Sequence, residues 1–135
     1  MTRRILVPLR YPITKRGRRT LEKALELIKG DNVRAIFYHV NLIYKDRKIN
    51  SGDLKREVEK NAEEIKSMRN ISYAVEKSYL LEESILKKIS NSDIDMVIMG
   101  KSMEPRWKKF IKFWGDYRLS EDIKRAARCE VMVVE

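Results

Sequence analysis

The chain has 135 residues, of which 43% are hydrophobic and 37% charged, and its formal net charge at pH 7 is +10. This length predicts one domain with a buried core, so we treat residues 1–135 as a single domain. The composition excludes a disordered chain, and no apolar run approaches the roughly 18 residues that would predict a bilayer span.

The first half of the chain alternates strand and helix patterns. Residues 4–9 form a short apolar run typical of a buried strand. Apolar residues at helical spacing predict a first helix over 17–29, and β-branched and aromatic residues predict a second strand over 33–40. Residues 54–68 have the spacing of a second amphipathic helix.

The second half continues this alternation. It is predicted to contain a strand at 71–77, a helix at 82–91, a strand at 95–99, a helix at 120–128 and a strand at 131–135. Regular alternation of buried strands with amphipathic helices predicts an α/β fold with a parallel sheet and helices on both faces. Right-handed crossovers make such a sheet doubly wound.

The excess positive charge is confined to two segments. Residues 1–19 carry seven basic residues and no acid, and residues 101–118 have a net charge of +4, whereas residues 20–100 are neutral overall. Ligands bind doubly wound sheets outside the carboxyl ends of the strands, where strand order reverses. Because the loops at 10–19 and 101–118 should flank that crevice, we predict a basic, anion-binding face there. Its residues are Arg16, Arg18, Arg19, Arg106, Lys108, Lys109 and Lys112.

Residues 105–114 have the pattern of a basic amphipathic helix. Trp107, Phe110, Ile111 and Trp114 recur at helical spacing, with basic residues between them. Such a helix can be a lid whose aromatic face packs on the domain or on a dimer partner. It can also be an aromatic and basic surface for nucleic acid, or a contact with a membrane surface or a partner protein. The sequence leaves these alternatives open.

No catalytic or metal-binding set is evident in the sequence. One cysteine, Cys129, and one histidine, His39, exclude an internal disulfide and a structural zinc site, and we expect structural roles for both in a cytoplasmic protein. Ser102 has no identifiable base, so nucleophilic catalysis is not predicted. The tripeptide at 100–102 resembles the end of a P-loop, but Asp95 stands where that motif requires glycine.

Four segments resemble the universal stress protein family. They are residues 5–9 (ILVPL), 38–40 (YHV), 95–100 (DMVIMG) and 127–134 (ARCEVMVV). The resemblance spans the whole chain in the right order. It implies a Rossmann-like, five-stranded parallel sheet of order 3-2-1-4-5, a role in stress response, and a homodimer formed through the last strand. Many members of this family are cytoplasmic, and some bind ATP.

The ATP-binding members share a glycine motif after the fourth strand. It reads Gly, two residues, Gly, nine residues, Gly, then Ser or Thr, and the glycines let backbone N–H groups reach the phosphates without a Cβ in the way. Gly100 matches the first glycine, but Met103 and Phe113 stand at the other two positions. Gly115 could substitute two residues later, although Asp116 follows it. The resemblance therefore does not imply ATP binding in the family's usual manner.

The resemblance and the charge together predict an altered nucleotide crevice. Arg10 stands where the family has an acidic residue. We expect a non-enzymatic homodimer that binds an anionic ligand, such as ATP or another nucleotide, in an altered way. The alternative is a nucleic-acid or acidic-partner binding module that uses residues 105–114. Candidate ligand-binding residues are Pro8, Leu9, Arg10, Val40, Met99, Gly100, Lys101 and Gly115, and candidate dimer-interface residues are Val131, Met132, Val133 and Val134.

Overall fold

A computed structural model describes residues 2–30, 32–44, 48–101 and 129–134, without the side chain of Glu82. Its strands are β1 (Arg3–Pro8), β2 (Val33–Leu42), β3 (Ile71–Ser78), β4 (Met96–Gly100) and β5 (Glu130–Val134). Its helices are α1 (Lys15–Ile28), α2 (Ser51–Asn61) and α3 (Leu81–Asn91), and a 3-10 helix (Glu63–Ser67) follows α2. The helices predicted over 105–114 and 120–128, and Gly115, lie outside the described residues.

The five strands form one parallel sheet in the order β3-β2-β1-β4-β5. This is the order that the sequence predicted. The inner residues of the central strand β1 are apolar, because they are covered from both faces: Ile5, Leu6 and Val7 are each at most 1% exposed. A strand buried on both faces reads as a continuous apolar run rather than as an alternating one.

Helices cover both faces of the sheet. On one face, Ile5, Val7 and Phe37 form a core with the apolar sides of α1 and α2. On the other face, Leu6 and Tyr38 form a second core with α3. Successive strand residues point to opposite faces, so each strand contributes to both cores. The predicted doubly wound arrangement is confirmed.

The prediction of one helix over 54–68 is wrong. Helix α2 ends at Asn61, because Ala62 has φ −153° and ψ 86°, which lie outside the helical region. The 3-10 helix then returns the chain toward β3 and buries Ile65, which is 3% exposed. The apolar spacing runs on through this break, so periodicity alone could not reveal it. A helix the length of α2 rises about 16 Å, which is enough to return the chain along one strand.

Candidate functional site

The carboxyl ends of β1 and β4 form the point where strand order reverses. Strand β1 pairs with β2 on one side and with β4 on the other, where Leu6 is level with Val97. After β1 the chain first forms β2, which is its neighbour on one side. It forms β4, the neighbour on the other side, only after β3. In open α/β sheets, ligands bind at such a point. We call this edge the crevice, and define it by the loop after β1, the start of α1 and the end of β4.

A small pocket of about 20 Å³ lies in the crevice. Its lining residues are Pro8, Leu9, Arg10, Thr14, Arg16, Gly17, Thr20 and Gly100. The structure therefore brings together four of the predicted ligand-binding residues, from the end of β1 and the end of β4. Because about 10–15 Å³ is enough for one water molecule, this pocket can receive one small group but not a whole nucleotide.

The start of α1 contributes positive electrostatic potential to the crevice. Thr14 caps the helix, and its Oγ1 accepts a 3.1 Å hydrogen bond from the backbone N–H of Gly17. The first turn of α1 contains no acidic residue, so no carboxylate there offsets the partial positive charge of the helix N-terminus. Arg10 and Arg16 line the same pocket and are exposed. This combination favours an anion.

One carboxylate reaches the loop between β1 and α1. Glu57 of α2 accepts a 2.8 Å hydrogen bond at Oε2 from the backbone N–H of Ile13. Ile13 is 9% exposed and belongs to the core under α1 and α2. Glu57 therefore fastens the loop to α2, and it is not among the residues that line the pocket.

Gly100 allows α1 to pack closely against β4. A Cβ at this position would lie 3.1 Å from Oγ1 of Thr20. Thr20 is 1% exposed, and its hydroxyl donates a 3.3 Å hydrogen bond to the backbone carbonyl of Arg16. The glycine that matches the first position of the ATP motif thus has a packing role in this chain.

His39 at the end of β2 holds the loop after β1. Its Nδ1 lies 2.9 Å from the backbone carbonyl oxygen of Leu9. The backbone N–H of Leu9 donates a 2.8 Å hydrogen bond to the carbonyl of Tyr38. The ring of Tyr11 meets the imidazole edge-on, with centroids 6.3 Å apart. These contacts fix where the chain leaves β1 and hence where Arg10 begins the loop.

Two predicted ligand-binding residues lie in the core instead. Val40 is 7% exposed and Met99 is fully buried, and both belong to the cluster under α3. Neither lines the crevice pocket. Lys101 follows β4 and is exposed, so it stands at the predicted edge. The predicted ligand-binding residues therefore do not all line the crevice, because Val40 and Met99 pack in the core under α3.

The predicted basic face is described only in part. Arg16, Arg18 and Arg19 are exposed on α1, and Nε of Arg18 donates a 3.2 Å hydrogen bond to Oδ1 of Asn61. The other members of this face lie outside the described residues; they are Arg106, Lys108, Lys109 and Lys112.

The assignment of all the excess charge to the crevice needs a correction. Arg3 and Arg4, counted in the basic segment 1–19, begin β1 and lie at the opposite end of the sheet from Arg10. A strand that crosses the molecule separates residues that are close in sequence. The positive charge of this segment is therefore divided between the two ends of the sheet.

Cys129 is a buried thiol just before β5. It is 8% exposed, and burial, with the nearby carboxylates of Asp95 and Glu130, raises its pKa from 9.0 to about 12. The thiolate is the reactive form of cysteine, so little of the reactive form is expected at neutral pH. Across the described residues, no three His, Cys, Asp or Glu side chains are grouped as metal ligands, and no helix there is long and apolar enough to cross a bilayer.

Strand β5 is the outermost strand on one side of the sheet. Its predicted interface residues are half-buried; they are Val131, Met132, Val133 and Val134. An edge strand presents backbone N–H and C=O groups that can pair with another strand. Among the described strands, none pairs with the outer edge of β5.

Sequence reasoning missed three residues of the pocket. Thr14 could have been found, because threonine is a preferred N-cap residue and helical spacing begins soon after it. Gly17 begins the helix predicted over 17–29, whereas α1 begins two residues earlier at Lys15, so Gly17 lies in its first turn. Thr20 had no signal at all, because its role comes from contact with Gly100, eighty positions away in the sequence.

Comparisons with known proteins identify the fold. No protein-family model matches the sequence, and no curated protein matches it significantly. A universal stress protein in complex with cAMP has a TM-score of 0.63 at 12% identity, and the alignment covers 98% of this chain and 96% of that one. One from Archaeoglobus fulgidus has a TM-score of 0.61 at 14% identity, with both chains covered completely. This chain has the universal stress protein fold.

A further universal stress protein structure carries a bound nucleotide. It comes from Archaeoglobus fulgidus in complex with dAMP, with a TM-score of 0.60 at 14% identity over 98% of each chain. The resemblance predicted from the sequence is thus confirmed at the level of the fold, including the strand order. At these identities the universal stress protein fold is shared, and the ligand has to be argued from the residues of this chain.

Proposed function

We propose that this chain is a non-enzymatic universal stress protein whose crevice binds an anionic ligand, a nucleotide held in an altered way. The observation that carries the proposal is the convergence of Arg10, Arg16 and the start of α1 beside Gly100. None of the described residues that line the pocket is acidic. The site lies where β1 and β4 end and α1 begins, and it therefore attracts negatively charged groups. The cAMP and dAMP complexes of the structural neighbours support a nucleotide as the ligand.

The altered binding mode follows from the size and charge of the pocket. Thr20 fills the space beside Gly100, and the small volume that remains suits one charged group of the ligand. Arg10 stands where the family's acidic residue is expected. The phosphate of the nucleotide therefore binds at the mouth of the pocket beside Arg10, and the rest of the ligand lies over the loop after β1.

The proposal is one of binding rather than catalysis. The described residues that line the pocket include no carboxylate or histidine, which are the side chains that most often act as general bases. Lys101 and the two arginines can hold an anion and neutralise its charge. A regulatory protein that senses a nucleotide needs no more than this.

Isothermal titration at low ionic strength tests the ligand. We expect AMP or cAMP to bind the full chain, and Arg10→Gln to weaken that binding at least about tenfold because a charge-assisted hydrogen bond is lost. Lys55→Gln is the matched control, since it removes one exposed positive charge from α2 on the chain's surface. Absence of binding to ATP, ADP, AMP, cAMP and inorganic phosphate would exclude the ligand part of the proposal.

A second candidate function is a nucleic-acid or acidic-partner binding module. The observation that favours it is the aromatic and basic pattern at 105–114, where Lys108, Lys109 and Lys112 alternate with tryptophan and phenylalanine. Phosphate contacts release counterions, so affinity for single-stranded oligonucleotide should fall steeply with salt. Charge reversal at these lysines should weaken binding regardless of sequence. Affinity that does not depend on salt would argue against this candidate.

We further propose that the protein works as a cytoplasmic homodimer. Strand β5 is the natural interface, because its outer edge can continue the sheet into a second copy across a two-fold axis. A single cysteine that is buried suits a reducing compartment.

A further inference from the structure

A groove of about 640 Å³ lies at the amino ends of β1, β2 and β3, at the opposite end of the sheet from the crevice. Three arginines line it: Arg4 from β1, Arg34 from β2 and Arg69 from the turn before β3. We call it the arginine groove. Its described lining residues also include Ser72 and Ser92, and none of them is acidic. A volume of this size is typical of small-molecule sites, which occupy about 300–1,000 Å³.

Two of the arginines are direct neighbours on one face of the sheet. Arg4 is level with Arg34 in the parallel ladder between β1 and β2. Both side chains lie on the α3 face, because the next residues with the same orientation, Leu6 and Ile36, belong to the core under α3. Adjacent strands are about 4.8 Å apart. Like-charged residues directly opposite each other in a sheet repel, and a bound anion would offset the repulsion.

Arg4 already has partners in the fold. Its guanidinium donates a 3.2 Å hydrogen bond to the backbone carbonyl of Ser92, at the end of α3, and lies 3.9 Å from the carboxylate of Asp93. These contacts offset the partial negative charge at the C-terminus of α3. They also hold Arg4 at one side of the groove.

Arg34 and Arg69 have no such partners. Within the described part of the chain, neither side chain forms a hydrogen bond or an ion pair. Both are exposed, and they flank the groove from β2 and from the turn before β3. A guanidinium presents a planar fork of donors that matches the oxygens of a phosphate group. The guanidinium groups of Arg34 and Arg69, which line the same groove, can therefore hold a doubly charged phosphate or a pyrophosphate.

We propose that the arginine groove binds a small phosphorylated ligand, with Arg34 and Arg69 holding its phosphate groups and Arg4, which is paired with Asp93, at one side of the groove. This site is separate from the crevice and does not depend on the function proposed there. Ile36, which lines the groove and packs against the core under α3, contacts the uncharged part of the ligand. The protein then has anion sites at both ends of its central strand.

An NMR titration of the full, 15N-labelled chain with inorganic pyrophosphate at low ionic strength tests the proposal. We expect the amide resonances of residues 34–36 and 69–72 to shift. The double variant R34Q/R69Q should weaken binding at least about tenfold, because both charged forks are lost. R34K/R69K keeps the charges without the forks and should give intermediate affinity.

The matched control is K55Q/K60Q, which removes two exposed positive charges from α2 and should bind pyrophosphate as the wild type does. R10Q should also leave the shifts of the arginine groove unchanged. An equal loss of affinity in K55Q/K60Q, or shifts confined to the crevice, would overturn the proposal. The same holds if pyrophosphate does not bind, or if the dicarboxylate succinate or a single-stranded oligonucleotide alone binds.

Folding of R34Q/R69Q is checked separately by thermal unfolding. Because the variant removes one of two adjacent like charges on β1 and β2, we expect its Tm to equal or exceed that of the wild type. A markedly lower Tm would show that the arginines also stabilise the fold, and the affinity of R34K/R69K and the wild-type shift map would then decide the proposal. The wild-type shift map locates bound pyrophosphate without any variant.

Discussion

Gly100, at the end of β4, has no side chain. The hydroxyl of Thr20 occupies the space beside it. The distance of 3.1 Å from a Cβ at this position to Oγ1 of Thr20 is shorter than ordinary van der Waals contact. A side chain at this position would require Thr20 to move by a few tenths of an ångström. A residue that matches a phosphate-binding motif in sequence serves packing in this structure, and the two roles can be separated by mutation.

We predict that Gly100→Ala destabilises the protein by about 1 kcal/mol, because the new methyl group overpacks against Thr20. In a Thr20→Ala background the hydroxyl is gone, and the same substitution should cost close to nothing. Urea unfolding of both single variants and the double variant measures this coupling. An equal cost in the two backgrounds would show that the contact does not govern this position.

Cys129 should be protected from alkylation in the folded protein. Its pKa is raised from 9.0 to about 12, mainly by burial, so very little thiolate exists at pH 8.5. We predict that iodoacetamide reacts several hundredfold slower with the native protein than with the same chain in 8 M urea, roughly the ratio of the thiolate fractions. Equal rates at pH 8.5 would contradict the burial of this thiol.

The same pKa shift gives a stability that depends on pH. The unfolded thiol ionises at lower pH than the folded one, so the stabilising contribution is complete below about pH 9 and is lost as the pH rises toward 12. Unfolding of a Cys129→Ala variant should show a smaller loss of stability over that range than the wild type.

Helix α2 shows how local chemistry defines an element. Oδ1 of Asn50 accepts a 2.8 Å hydrogen bond from the backbone N–H of Asp53, and Oδ2 of Asp53 accepts a 3.0 Å hydrogen bond from the backbone N–H of Asn50. This capping box starts the helix at Ser51, three residues before the Leu54 from which apolar spacing predicted it. The capping-box residues Asn50 and Asp53 were present in the sequence. Because both are polar, hydrophobic periodicity does not detect them.

We predict that Asn50→Ala lowers the free energy of unfolding by about 1 kcal/mol, because one end of the capping box is lost. Ser51→Ala is the matched control, since Ser51 is the first residue of α2 and is exposed, and it should change stability by less than about 0.5 kcal/mol. Thermal or urea unfolding compares the two. Equal effects would mean that the box does not stabilise α2.

At the scale of the whole molecule, the proposed homodimer depends on the outer strand β5. Sedimentation equilibrium should give a mass close to twice the 16.1 kDa of one chain. A charge at an edge strand opposes strand pairing, so Val134→Lys in β5 should shift the protein toward monomer. Ser78→Lys at the end of β3, the outer strand on the other side, should leave the dimer intact. A monomeric wild type would exclude the proposed interface.

The sequence by itself determined the alternation of strands and helices, and from the resemblance also the strand order. These features depend on short-range patterns, such as the apolar run of β1 and the helical spacing of α1, which each segment carries independently of the others. The end of β1 and Gly100 at the end of β4 were therefore located correctly as parts of one edge. The capping residues and the break after α2 were missed, because apolar spacing does not report them.

The tertiary structure decided which residues face each other. It buried Val40 and Met99 in the core and brought Thr20 against Gly100. It also divided the basic N-terminal segment between two ends of the sheet, because β1 carries the chain from Arg4 to the crevice on the far side. Net charge counts residues without their positions, so only the path of β1 could show that the arginine groove and the crevice are separate.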